Sequence, residues 1–170
     1  MKKINISEAQ IKTSPNLISL ICTETTIGNT NLAAISWWTY LANKPPMLGF
    51  AINKNSYTGE MLEKNRKAIL SLPGEAIAQE AHHCGCTSGR NIDKAAKFNI
   101  NLINLEGTKI KIPEHSKIAF ICTLENIIDA GDHKFYTCLI NDIFYNENEQ
   151  QLYAWNGYNK LAPLYTEKEK

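Results

Sequence analysis

Apolar residues along this chain come in short runs rich in β-branched and aromatic side chains, and none keeps a helical period for long. "LISLICT" (17–23), "LAAISWWT" (32–39), "MLGFAI" (47–52), "AILSL" (68–72), "KIAFICTLENII" (117–128) and "KFYTCLINDIF" (134–144) each read as a strand. Turn chemistry separates them: "TIGNTN", "ANKPP", "LPGE", "DAGDH" and "YNENEQ". Helix signals are fewer. "YTGEMLEKNRKA" carries Thr58 as an expected N-cap with Glu60 in the first turn. "GEAIAQEAHH" is a second short helix, and "NIDKAAKF" a third with Asp93 as its cap. Many strands and three brief helices point to a mainly β fold, a barrel or sandwich with helical decorations. A parallel α/β sheet would need a helix after nearly every strand.

Composition narrows this without redirecting it. The 170 residues, 44% hydrophobic and 21% charged, fit one soluble domain spanning 1–170. A fold of this length buries roughly 70% of the surface of its unfolded chain and needs no staple. A net charge of +1 gives no electrostatic case for nucleic acid or an anionic membrane. "MKKINISEAQIK" has a basic start but no apolar run behind it, and "LAAISWW" falls short of the ~20 residues that span a bilayer. The five cysteines are odd in number, and Cys22, Cys122 and Cys138 lie in apolar runs. They read as reduced thiols of a cytoplasmic protein. The polar end "YTEKEK" is expected to fray.

The densest chemistry lies in "AHHCGCTSGRNIDK" (81–94). His82, His83, Cys84 and Cys86 have the residue types of a zinc site, but such sites usually draw two separated pairs of ligands. No second pair exists at suitable spacing, and helical neighbours point in different directions, so no metal is expected. Ser88-Gly89-Arg90 followed by Asp93-Lys94 offers a hydroxyl, a flexible backbone and two cations beside a helix start, a suitable setting for an anion. As a motif it is weak, and a solvated loop is the default reading. Ser56, Tyr57 and Thr58 gather three hydroxyls at another helix N-terminus, where capping accounts for one. Ser36, Trp37, Trp38 and Thr39 read either as core packing or as the lining of a groove for a polar ring. His133 stands at the mouth of a turn running into a strand; imidazole chemistry near neutrality suits a proton donor or a ligand contact, although a lone histidine is more often structural. Cys84 or Cys86, close to a helix end and cations, has the setting of an activated thiol.

Taken in order, Asn29…Ser36-Trp37, Pro45-Pro46, Ser56-Tyr57-Thr58, Ser88-Gly89…Asp93-Lys94 and Gly131-Asp132-His133 resemble the flavin reductase-like, flavoredoxin-type FMN-binding proteins. "LYAWNGYNKLAP" is similar to that family's closing segment, so the resemblance runs from about residue 14 to 163. It implies a Greek-key split β-barrel, a homodimer and one FMN per protomer. It also implies cofactor contacts from Asn31, Ala34, Ser36, Trp37, Trp38 and Thr39 at the ring and ribityl chain. Ser56, Tyr57 and Thr58 would serve the phosphate, with Ser88, Gly89 and Lys94 nearby and His133 approaching the flavin as a catalytic group. Lys94 is followed by "AAKF", where many members have phenylalanine directly after Asp-Lys. The implied activity is electron transfer from NAD(P)H to flavin or a downstream acceptor. A flavoredoxin-like carrier served by a redox protein and a non-redox ligand-binding barrel are the alternatives. There is no G-x-G-x-x-G, so any NAD(P)H would bind without a Rossmann domain.

Overall fold

A computed structural model describes residues 1–165; residues 166–170, which hold most of the polar end expected to fray, lie outside the described residues. In chain order the elements are α1 (Ile6–Lys12), β1 (Asn16–Leu17), β2 (Ser19–Glu24), β3 (Thr30–Ile35), β4 (Trp38–Asn43), β5 (Pro46–Asn53), α2 (Tyr57–Asn65) and β6 (Lys67–Pro73). There follow a 3₁₀ turn (Glu75–Ile77), α3 (Ala78–Cys86), α4 (Lys94–Lys97), β7 (Leu102–Ile103), β8 (Ile112–Pro113), β9 (Ser116–Ala130), β10 (His133–Tyr145), β11 (Leu152–Trp155) and β12 (Lys160–Pro163).

The main sheet has seven antiparallel strands in the order β3-β2-β6-β9-β10-β5-β4. Its two edge strands, β3 and β4, are joined through Ser36 and Trp37 alone. A connection that short cannot cross a flat seven-stranded sheet, so the sheet curls until the end of β3 reaches the start of β4; Ala51 N donates to Trp37 O at 2.9 Å, which carries the β4–β5 ladder up to that link. The result is a mainly β split barrel, the class expected from the sequence. Two smaller sheets flank it, β1-β11-β12 and β7-β8.

The rolled sheet has two buried faces. Inside the barrel lie Ile21, Phe50, Leu70, Phe120, Tyr136 and Cys138. On the outer face, Leu20, Cys22, Ile69 and Ile121 pack against Ile77, Ala81, Cys84 and Ile100 from the helical side. Successive residues of β2 thus face two different apolar environments, which explains why Ser19 to Thr23 are continuously buried rather than alternately exposed. Among the described residues, no helix is long and apolar enough to cross a membrane.

Two local readings need correction. The run 32–39 is not one strand: it breaks at Ser36-Trp37, where the chain passes from one sheet edge to the other. The cap of α2 is Ser56 and not Thr58; Ser56 Oγ accepts from Thr58 N at 3.2 Å, which places Thr58 inside the first turn. Asp93 does cap α4, accepting from Ala96 N. The pattern also gave no hint of α1 or of the β11–β12 hairpin.

Candidate functional site

A cavity of about 590 Å³ opens between the free edge of β3, the N-terminus of α2, the end of α3 with the loop after it, and the first residue of β10. Its size is ordinary for a small-molecule site. It brings together Ala34, Ser36, Trp37, Ser56, Tyr57, Thr58, Ser88, Gly89, Lys94 and His133, residues that are scattered through the sequence.

One corner suits an anion. α2 is nine residues long and is capped by Ser56, so its positive end and unpaired backbone N–H groups face the cavity beside the Ser56 and Thr58 hydroxyls. Close by, the Arg90 guanidinium lies 5.3 Å from the Tyr57 ring centroid and pairs with Glu60 at 2.7 Å. Lys94, expected near the phosphate or ribityl group, lines the cavity with its ammonium already engaged by the protein. Its side chain is 2% exposed, and Nζ donates to Leu32 O at 2.6 Å and Cys84 O at 2.8 Å. Burial holds its pKa below the usual lysine range. The ammonium therefore ties the end of α3 to the edge of β3, and only its remaining proton is left for the cavity it lines.

The opposite wall is the backbone of β3. Leu32 turns its carbonyl outward to Lys94, so the two-residue alternation of a strand turns the N–H and C=O of Ala34 outward as well, away from β2. A Cβ on Gly85 would come within 3.2 Å of Ala34 Cβ, which shows how closely α3 approaches this edge. At the mouth, Trp37 is 46% exposed and its ring lies 4.9 Å from that of His133. His133 Nδ1 is 2.7 Å from Asp132 Oδ1, and this contact keeps the Asp132 carboxyl below its usual range. Tyr158 Oη donates to Ser36 Oγ at 2.6 Å from the turn between β11 and β12.

Three residues expected at the cofactor do not line the cavity. Trp38 packs on Phe120 and Tyr40, because the strand break carries it onto β4 and over the barrel core. Thr39 is exposed, with its hydroxyl donating to Tyr40 O. Asn31 is buried behind the wall and donates to Thr58 Oγ1 at 2.9 Å. Cys84 also differs from the activated thiol anticipated: burial pushes it up to about 11, whereas Cys86 is exposed on the cavity wall. Sequence reasoning gave no role to Tyr158, His82 or the Ala51–Asn53 stretch, all of which line the cavity. The turn around Asn156 and Gly157, both at positive φ, was the available signal for Tyr158. Among the described residues, no group of three or more His, Cys, Asp or Glu side chains could hold a metal ion.

The flavin reductase like domain model matches residues 11–162. The chain belongs to the flavin reductase-like family. The high molecular weight rubredoxin of Moorella thermoacetica is 27% identical over 134 residues, 74% of this chain and 58% of that protein. The flavoredoxin of Methanosarcina acetivorans superposes with a TM-score of 0.83 at 20% identity, covering 100% of this chain and 95% of its own. An FMN-binding protein of Thermus thermophilus, solved with p-hydroxybenzaldehyde, gives 0.74 at 21% identity over 84% of this chain and 83% of its own. The chain spans 58–60% of the length of the first curated relatives it matches. The family and these neighbours agree with the rolled sheet described above.

Proposed function

We propose that this flavin reductase-like chain binds FMN in the 590 Å³ cavity and passes electrons from NAD(P)H to the flavin or to a downstream acceptor. The observation that carries the reading is the coincidence, in one cavity, of a hydroxyl-bearing helix N-terminus with the outward edge of β3. The donor set fits the group. A doubly charged phosphate needs several N–H and O–H donors, and Ser56, Thr58 and the first turn of α2 supply them. A planar polar ring needs flat backbone hydrogen-bonding partners close by, which the edge of β3 at Ala34 offers. The FMN-binding protein of Thermus thermophilus, of similar fold, supports FMN as the flavin.

Bound FMN would supply the redox chemistry, taking hydride from a nicotinamide and releasing electrons to an acceptor. The chain's own residues hold and orient: Ser56 and Thr58 at the phosphate, Ala34 and Ser36 along the ring, and Lys94 keeping α3 against β3. Trp37 and His133 border the open side, where a second planar molecule would be received. His133, held by Asp132, is the group we assign to proton handling there. A second reading, an electron carrier served by a redox protein, draws support from the Moorella relative named as a rubredoxin.

We place the protein in the cytoplasm as a homodimer of single 170-residue domains. Its free thiols suit a reducing compartment, and Tyr40, Leu41, Ile127, Ile128, Ile143 and Tyr145 are exposed on β4, β9 and β10 as an interface would require. Freshly isolated protein should be yellow, and anaerobic NADH or NADPH should bleach it promptly. Bleaching only by a reduced redox protein would favour the carrier. A colourless protein that takes up no added FMN would end both readings.

A further inference from the structure

Asn31 stands one layer behind the cavity, 4% exposed, on the strand that forms the wall. Its Nδ2 donates to Thr58 Oγ1 at 2.9 Å and to Thr23 Oγ1 at 3.5 Å. A hydroxyl oxygen that accepts a hydrogen bond keeps its own proton for another acceptor. Thr58 Oγ1 makes no second hydrogen bond within the described residues, and Thr58 lines the cavity beside Ser56. Asn31 Oδ1 is buried without a partner and faces Gly89, where a Cβ would overlap it. This orientation gives both amide protons a threonine oxygen and sets the carbonyl against the Cα–H side of Gly89, a weakly favourable contact. The reverse orientation would press an NH₂ onto the same hydrogens.

We propose that Asn31 is a positioning residue: its amide turns the Thr58 hydroxyl into a proton donor aimed at the phosphate end of the cavity, and so sets a preference for a phosphorylated flavin over an unphosphorylated one. The inference rests on the FMN reading above and adds to it. Asn31 touches no ligand and acts only through Thr58. Gly89 belongs to the same arrangement, because any side chain there would displace the amide.

A double-mutant cycle with two ligands tests this. Dissociation constants for FMN and riboflavin are measured on wild type, Asn31→Leu, Thr58→Val and the double variant. Freeing the hydroxyl in Asn31→Leu should weaken FMN binding about 5- to 10-fold, the scale of one hydrogen bond, and leave riboflavin within about 2-fold. In the Thr58→Val background the Asn31 substitution should change FMN binding by less than about 2-fold. Equal losses in both backgrounds, or equal losses for both flavins, would overturn the proposal while leaving the FMN site intact. Should Asn31→Leu fail to fold, Asn31→Asp serves: its carboxylate accepts from Thr58 and reverses the bond, so FMN should weaken more than about 10-fold with riboflavin spared. Riboflavin falling in step would again count against Asn31. Wild type that binds neither flavin would remove the underlying reading together with this one.

Discussion

Cys86 is the exposed thiol among five cysteines, and it lines the cavity, while Cys22, Cys84, Cys122 and Cys138 are buried. Alkylation of the native protein should therefore modify Cys86 first, and saturating FMN should slow that reaction by covering it. Peptide mass spectrometry reads both effects; an unchanged Cys86 rate with FMN present would place the flavin elsewhere. At this scale the sequence was most legible where chemistry is local. The Asp93 cap and the cluster of hydroxyls at the start of α2 follow from neighbours within three residues, although the cap of α2 is Ser56 and not Thr58. Lys94 was harder, since its two acceptors lie 62 and 10 positions away and are backbone carbonyls with no sequence signature. Trp38 and Thr39 were misplaced because which way a side chain faces depends on the strand break two residues earlier.

Helix α2, which carries the proposed phosphate corner, is held down at two points. Glu63 Oε1 accepts from Lys134 Nζ and Tyr136 Oη, both at 2.8 Å, and Gly59 lies against the Tyr136 hydroxyl, 2.7 Å from where a Cβ would be. In an exposed helix Gly→Ala gains roughly 1 kcal/mol. Here the methyl meets the end of a buried ring, so Gly59→Ala should instead destabilise by about 1–3 kcal/mol in denaturant unfolding. A more stable variant would mean that α2 is free to shift. The hydrogen bond from Lys134 holds the Glu63 carboxyl below its usual 4.5. A depressed folded pKa contributes stability that is complete above the unfolded value and disappears as pH falls through the folded one. The melting-temperature gap between wild type and Glu63→Gln should therefore narrow as pH drops below about 4.5, and a constant gap would contradict the clamp. The long strands β9 and β10 were readable because their buried positions, such as Phe120, Cys122, Leu124, Tyr136, Cys138 and Ile140, are apolar. α1 was not, because Ile6 and Ile11 remain exposed and leave no buried stripe; its capping box, Asn5 with Glu8, was the only local mark.

The curled sheet makes the site possible. Curling brings the end of β3 at one edge to the start of β4 at the other, and leaves the outer side of β3 free for the helices and the cavity. Strand pairing of this kind is non-local, and periodicity carries no information about it; the resemblance to a family supplied the barrel, which the antiparallel order then accounts for. The apolar residues exposed on β4, β9 and β10 belong to the same scale. Sedimentation should give twice 19.1 kDa, and a monomer at working concentration would remove the proposed dimer. The central claim is that the N-terminus of α2 receives the phosphate of FMN, and a titration of FMN into wild type and the Ser56→Ala/Thr58→Ala variant tests it most directly. Wild type should bind one FMN per chain, and the variant should bind more weakly by about 1.5–3 kcal/mol for each hydrogen bond lost to the charged group. The same dissociation constant for both proteins would contradict it.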